Sequence, residues 1–195
     1  MELKEYLGQS YQDVIRVTQD YCAREDVLST TVEIAEKLAG IFNEGGKALV
    51  CGNGGSACDA MHFAEEFTGR YRQNRKALPV ISLTDPSHVT CVGNDYGFEE
   101  IFARGVEAYG KEGDLFVGIS TSGNSENVIR AVNKAKEAGL VTVALLGKDG
   151  GKLTGKCDYE FIVPEKTSDR IQEVHMIILH IIIEGVERLL FPSNY

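Results

Sequence analysis

Basic charge is scarce in this chain: 29 Asp and Glu outnumber 20 Lys and Arg across 195 residues, a formal net charge of −9. Proteins that grip nucleic acid replace condensed counterions with clustered Lys and Arg, so the balance argues against a general nucleic-acid surface. An anionic ligand has to be held locally. Cysteine is sparse as well. Cys22, Cys51, Cys58, Cys91 and Cys157 are odd in number, widely spaced and without a C-x-x-C pair, which argues against a disulfide framework or a cysteine-held metal and suits reduced thiols in or near a core. Met1-Glu2-Leu3-Lys4-Glu5 lacks a basic stretch leading into an apolar one, so the expectation is a cytoplasmic protein with no export signal. No apolar run reaches the roughly 20 residues of a membrane helix, and no repeat, low-complexity tract or linker divides the chain. What is present, 43% hydrophobic and 25% charged residues, fits one soluble domain over 1–195 with a single sizeable core.

Short apolar runs alternate with helical spacing. Val14, Ile15 and Val17 mark a first helix; Leu28, Val32, Ala35, Leu38, Ala39 and Phe42 mark a second, stopped by Gly45-Gly46. The runs Lys47–Cys51, Val80–Leu83, Leu115–Ile119, Thr142–Leu146 and Tyr159–Val163 then read as strands joined by right-handed crossovers. The expected fold is α/β, a three-layer sandwich with a five-stranded parallel sheet, preceded by N-terminal helices over 1–45 for packing between chains. A last helix, about Ser168 to Leu190, contains Met176-Ile-Ile-Leu-His-Ile-Ile-Ile183 and is apolar on nearly every face, which predicts an oligomer that covers it. Ligands of such sheets bind beyond the strands' carboxyl ends.

The loop after the third strand is the most informative of these. Ser120, Thr121, Ser122 and Ser125 place four hydroxyls around Gly123 just before a helix. Free N–H groups and the positive end of the helix dipole make that a cradle for a phosphate; a plain capped turn would need one Ser. After the first strand, Cys51-Gly-Asn-Gly-Gly-Ser-Ala57 matches the dinucleotide fingerprint, with Asp85 as a possible ribose ligand, but a dinucleotide-binding domain needs a substrate domain for which the chain has no room. The helix opened by that loop carries His62 and Glu66 at i, i+4, either a surface ion pair or an imidazole and carboxylate facing a cleft, apt for a divalent metal such as zinc. The last helix adds Asp169, Arg170, Gln172, Glu173, His175 and His180. His180 interrupts an aliphatic run, where an imidazole without a partner is costly. Gln172 and His180 are eight residues apart, about 12 Å along a helix, and serve either one site or two sites across a subunit boundary. Asn94-Asp95 before Tyr96-Gly97 reads equally as a sugar-binding pair or a turn.

With these residues in place the chain resembles the sugar isomerase (SIS) domain family, and within it the phosphoheptose (sedoheptulose 7-phosphate) isomerases. The resemblance covers nearly the whole chain. It rests on Cys51–Ser56, Asp59–Arg72, Cys91–Gly97, Gly118–Ser125, Gly147–Gly151 and Asp169–His175 through His180. It implies a flavodoxin-like sheet and sugar-phosphate contacts from Asn53, Gly54, Gly55, Glu66, Asn94, Asp95, Ser120, Thr121, Ser122, Ser125 and Gln172. It implies one zinc on His62, Glu66, Gln172 and His180, with Glu66 and His180 as the acid–base pair, and a homotetramer. The implied reaction converts sedoheptulose 7-phosphate to D-glycero-D-manno-heptose 7-phosphate, the first step toward nucleotide-activated heptose for surface glycans. Noncatalytic relatives that associate with a replication initiator share the fold but lack the full His/Glu/His set.

Overall fold

The computed structural model describes residues 2–195. The five apolar runs are the strands β1 (Ala48–Gly52), β2 (Val80–Ser82), β3 (Leu115–Ser120), β4 (Val141–Gly147) and β5 (Tyr159–Val163). All pair in parallel, in the order β2-β1-β3-β4-β5. Successive side chains of a strand point to opposite faces, and both faces of this sheet are apolar, so there are two cores. Val50, Leu115, Val117 and Ile119 face a layer formed by α1 (Leu3–Cys22), α2 (Glu25–Asn43), α3 (Gly55–Thr68) and α7 (Ser168–Leu190). Leu49, Cys51, Phe116 and Leu146 face α4 (Pro86–Asp95), α5 (Ile101–Tyr109) and α6 (Glu126–Glu137). This is the expected three-layer sandwich. The crossovers wind outward from β1 in one direction and from β3 in the other, so the loops after these two strands flank the switch point, where doubly wound sheets bind ligands.

The N-terminal helix α2 packs within the chain's own core. Ile34, Ala35, Leu38 and Phe42 of α2 are buried in the main core with α7, and a Cβ at Gly185 would lie 2.9 Å from that of Ala35, so glycine lets the two helices approach. The chain also covers α7 more fully than its apolar sequence implies. Ile178, Leu179, Ile182 and Ile183 are buried, and of that run's aliphatic residues only Ile181 is exposed, at 47%. The long apolar stripe that stays in solvent lies on α1, where Leu3, Leu7, Tyr11 and Ile15 recur every four residues. Among the described residues no helix is long and apolar enough to cross a membrane.

His175 ties α7 to the sheet. Its ring is fully buried, and Nε2 lies 2.8 Å from the carbonyl of Leu146 at the end of β4. A carbonyl only accepts, so Nε2 carries the proton and Nδ1 is the bare nitrogen, which has no partner among the described residues. Desolvation lowers the ring's pKa from 6.5 to about 4. Between those values the unfolded chain takes up a proton that the fold refuses, so this contribution to stability is complete above pH 6.5 and drains as pH falls toward 4. His175→Gln keeps a donor for Leu146 and should lose less stability than the parent over that window. The difference should reach about 3 kcal/mol at about 1.4 kcal/mol per pH unit, read from urea unfolding at stepped pH.

Candidate active site

Two glycine-containing loops meet at the switch point. After β1 the backbone folds tightly back on itself, since a Cβ on Gly52 would lie 2.6 Å from the Ser56 carbonyl oxygen, and Gly54 takes φ +57. No side chain caps α3. After β3, Gly123 takes φ +62 and α6 begins behind Ser125. Ser125 stands at the capping position without capping: its Oγ faces that of Ser120 at 3.1 Å. Of the first-turn N–H groups, that of Val128 in α6 is taken by the Asn127 side chain, while those of Gly55, Glu126 and Asn127 have no side-chain acceptor among the described residues and stand at the positive ends of two helix dipoles. Thr121 Oγ1 lies 3.1 Å from Ser168 Oγ at the start of α7, and Ser122 Oγ accepts from the backbone N–H of Asn124.

A residue that the sequence reading passes over joins the loops. The buried Asn127 exchanges two hydrogen bonds of 2.9 Å with Asn53, amide to amide, and its oxygen also accepts from the N–H of Val128. Cavities of about 340 and 360 Å³ lie on either side of Asn53, one reaching Thr84 and Phe102, the other Ser125 and Arg130.

The second half of the site lies between α3 and α7. His62, Glu66 and His180 are half-buried, and one ligand atom from each falls within 4.8 Å of the others. His62 Nε2 is 3.0 Å from His180 Nε2 and 3.4 Å from Glu66 Oε1. Tetrahedral ligands about 2.0–2.1 Å from a zinc ion stand roughly 3.4 Å apart; the His62–Glu66 separation equals this and the His62–His180 one is shorter, so two imidazoles and a carboxylate gathered here are a donor set that suits such an ion. Burial, then the neighbouring Glu65, raises the Glu66 pKa above the ordinary carboxylate value. Burial, then His62 and Arg72, lowers that of His180. One group is thus made a better proton acceptor and the other is kept neutral, an arrangement suited to proton transfer at carbon and oxygen. One turn before His62, Asp59 has an oxygen buried without a partner among the described residues, and desolvation raises its pKa to about 6.

Gln172 sits elsewhere on α7. Its amide packs where a Gly55 side chain would be, 2.5 Å from that Cβ position, and its nitrogen is 3.4 Å from Ser56 Oγ. Within one chain it therefore serves the glycine loop, two turns before His180. Asn94 and Asp95 are the last residues of α4, not a loop beyond it; both are exposed, hydrogen-bonded to each other at 2.7 Å and to no other expected site residue. Asn127 lies outside the segments that carry the family resemblance, and Asp59 and Tyr71 lie within Asp59–Arg72 without an assigned role; the Tyr71 ring stacks on His180. A Gly-Arg-Tyr-Arg segment just after a helix carries no periodic signal.

The SIS domain family model matches residues 11–147. The chain is 67% identical over 186 residues to a phosphoheptose isomerase of Fusobacterium nucleatum, covering 95% of this chain and 96% of that one. It is 50% identical over 187 residues to a phosphoheptose isomerase of Vibrio cholerae, covering 91% and 98%. Among solved structures, a phosphoheptose isomerase from Francisella tularensis superposes with a TM-score of 0.90 at 34% identity, over 96% of this chain and all of the other. One from Neisseria gonorrhoeae gives 0.87 at 40%, over 95% and 99%. The switch-point loops and the His–Glu–His group thus lie in a chain that matches these enzymes almost end to end: it belongs to the SIS domain family and, within it, to the phosphoheptose isomerases.

Proposed function

We propose that this chain isomerises sedoheptulose 7-phosphate to D-glycero-D-manno-heptose 7-phosphate through an enediol, supplying heptose for surface glycans in the cytoplasm. The observation that carries the reading is the meeting of His62, Glu66 and His180 between α3 and α7, in the helix layer beside loops that suit a phosphate. The net charge of −9 opposes any diffuse attraction of an anion, so the phosphate is held by the backbone N–H groups at the start of α6 and the hydroxyls of Ser120, Thr121, Ser122 and Ser125. Gly54 leaves open space for the sugar, Gly55 lets the Gln172 amide pack against the loop, and Asn53 and Gln172 offer amides along the sugar. Asn94 and Asp95 would reach the sugar from the end of α4. The noncatalytic alternative calls for a broken His/Glu/His set, and here the set is complete.

Glu66 is the base. Its raised proton affinity suits it to take the proton from the carbon next to the carbonyl, while His180 delivers a proton to the carbonyl oxygen, giving the enediol. The proton on Glu66 then returns to the neighbouring carbon, and His180 recovers its own from the new carbonyl's hydroxyl. His62, Glu66 and His180 would hold a zinc ion; Gln172, the fourth ligand implied by the family resemblance, turns to the glycine loop within this chain and would have to leave Gly55 and Ser56 to join them. When bound, zinc supplies Lewis acidity toward the carbonyl and hydroxyl oxygens.

Glu66→Gln and His180→Gln should each lower turnover about 10²- to 10⁴-fold while the protein stays folded. Conversion of sedoheptulose 7-phosphate by the purified variants, with and without a chelator, tests this, and wild-type turnover in either variant refutes the assignment. Ser120→Ala with Ser122→Ala should raise the apparent KM far more than it lowers kcat; an unchanged KM counts against the cradle. The exposed stripe of α1 is our basis for a homotetramer, and Leu7→Asp with Tyr11→Asp should shift the species seen by light scattering to a smaller one.

A further inference from the structure

The connection from α3 to β2, residues 69–79, has no regular structure, yet three of its side chains lie along α7. Tyr71 stacks on His180 with ring centroids 5.7 Å apart and planes 28° apart. Arg72 pairs with Glu184 at 2.8 Å and lies over the Tyr71 ring. Arg75 pairs with Glu187 at 2.7 Å. His180, Glu184 and Glu187 follow at i, i+4 and i+7, a single stripe of the helix.

The last of these pairs is the buried one, both side chains being 1% exposed. Besides Glu187, the Arg75 guanidinium donates to the carbonyls of Glu66 at 2.6 Å, Phe67 at 2.7 Å, Gly69 at 2.9 Å and Lys76 at 3.2 Å. Glu66 and Phe67 are in the last turn of α3, whose carbonyls have no helical N–H to accept from. The second oxygen of Glu187 takes the hydroxyl of Tyr195 at 2.8 Å. A buried ion pair is a weak way to gain stability, because desolvation offsets the attraction. This one joins the backbone turn that carries Glu66 to the helix that carries His180. The planar fork of Arg reaches carboxylate and carbonyls at once, which Lys cannot do. The His180 ring is meanwhile met on its face by Tyr71 and at Nε2 by His62.

We propose that Arg75 and Tyr71 are positioning residues for the isomerase: Arg75 sets the Glu66 turn against α7, and Tyr71 fixes the plane of the His180 ring. The inference rests on the acid–base roles given above to Glu66 and His180. Tyr71→Leu removes the stacked ring, Tyr71→Phe restores it without the hydroxyl, and Arg75→Lys keeps the charge beside Glu187 but removes the fork. Tyr71→Leu and Arg75→Lys should lower kcat about 10- to 100-fold, the scale of a misplacement of about 1 Å, with KM changed by less than about threefold, and Tyr71→Phe should retain wild-type kcat. The second readout is independent of turnover: NMR of the His180 ring protons, assigned against His180→Gln, in metal-free and in zinc-loaded protein. Loss of the ring current should move them downfield in Tyr71→Leu and leave them near their wild-type positions in Tyr71→Phe. Unchanged kcat in Tyr71→Leu, a loss confined to KM, an equal loss in Tyr71→Phe, or unmoved His180 resonances would each overturn the proposal. Unchanged kcat in Arg75→Lys would overturn the Arg75 half; should that variant fail to fold, Glu187→Gln, which keeps an acceptor for the guanidinium and removes the charge, takes its place with the same expected loss of kcat and the same overturning result. Resonances that move while Glu66→Gln and His180→Gln remain active would overturn it through its catalytic premise instead.

Discussion

Parallel packing of α3 and α7 in one layer over the sheet is the constraint on which the site depends. Gly55 and Ser56 at the start of α3 meet Gln172, and about two turns further on His62 meets His180. Two helices advancing 1.5 Å per residue in the same direction keep such pairs in step. The alignment is held at three levels. His175 joins α7 to the end of β4, the apolar faces of both helices share one core, and Arg75 with Glu187 clamps the far end. A slide of either helix by one residue would separate all the pairs together.

The phosphate cradle proposed above depends on a different device. An acidic chain gains nothing from overall electrostatic attraction toward a sugar phosphate, so local dipoles and free N–H groups have to do the binding. The sheet order places two helix N-termini side by side at the switch point, and the reciprocal amide pair of Asn53 and Asn127 holds the loops at a fixed separation. Asn53 gives Asn127 one N–H and one oxygen lone pair, so the amide that fixes the loops keeps a second donor and a second acceptor. The crevice is thus assembled before a ligand arrives, which limits the ordering cost of binding.

Much of this was legible in the residues. The five strands are apolar on both sides and bounded by glycine or polar turns, and they were placed to within a residue or two. The bounds Ser168 and Leu190 of the last helix follow from a hydroxyl-rich start and a Phe-Pro stop. His62 and Glu66 at helical spacing, and His180 alone in an aliphatic run, stand out because a polar group in such a place needs a partner. That α2 lies in the chain's own core is not legible in its periodicity, which shows that a helix has an apolar face without showing what covers it. Asn127, Tyr71 and Arg75 escaped notice because Asn, Tyr and Arg are ordinary at helix starts and in loops, and their partners are 74, 109 and 112 residues away.

By itself the sequence determined the kinds of element, their order and the chemical groups on offer, since these follow from local spacing and side-chain type. Tertiary structure alone decided which groups meet: that His62 and His180 face each other within one chain, that Gln172 turns to the glycine loop, and that an irregular segment is stitched to α7 by a buried guanidinium. Such meetings depend on the relative placement of helices packed on a sheet, and short-range pattern contains no information about that distance.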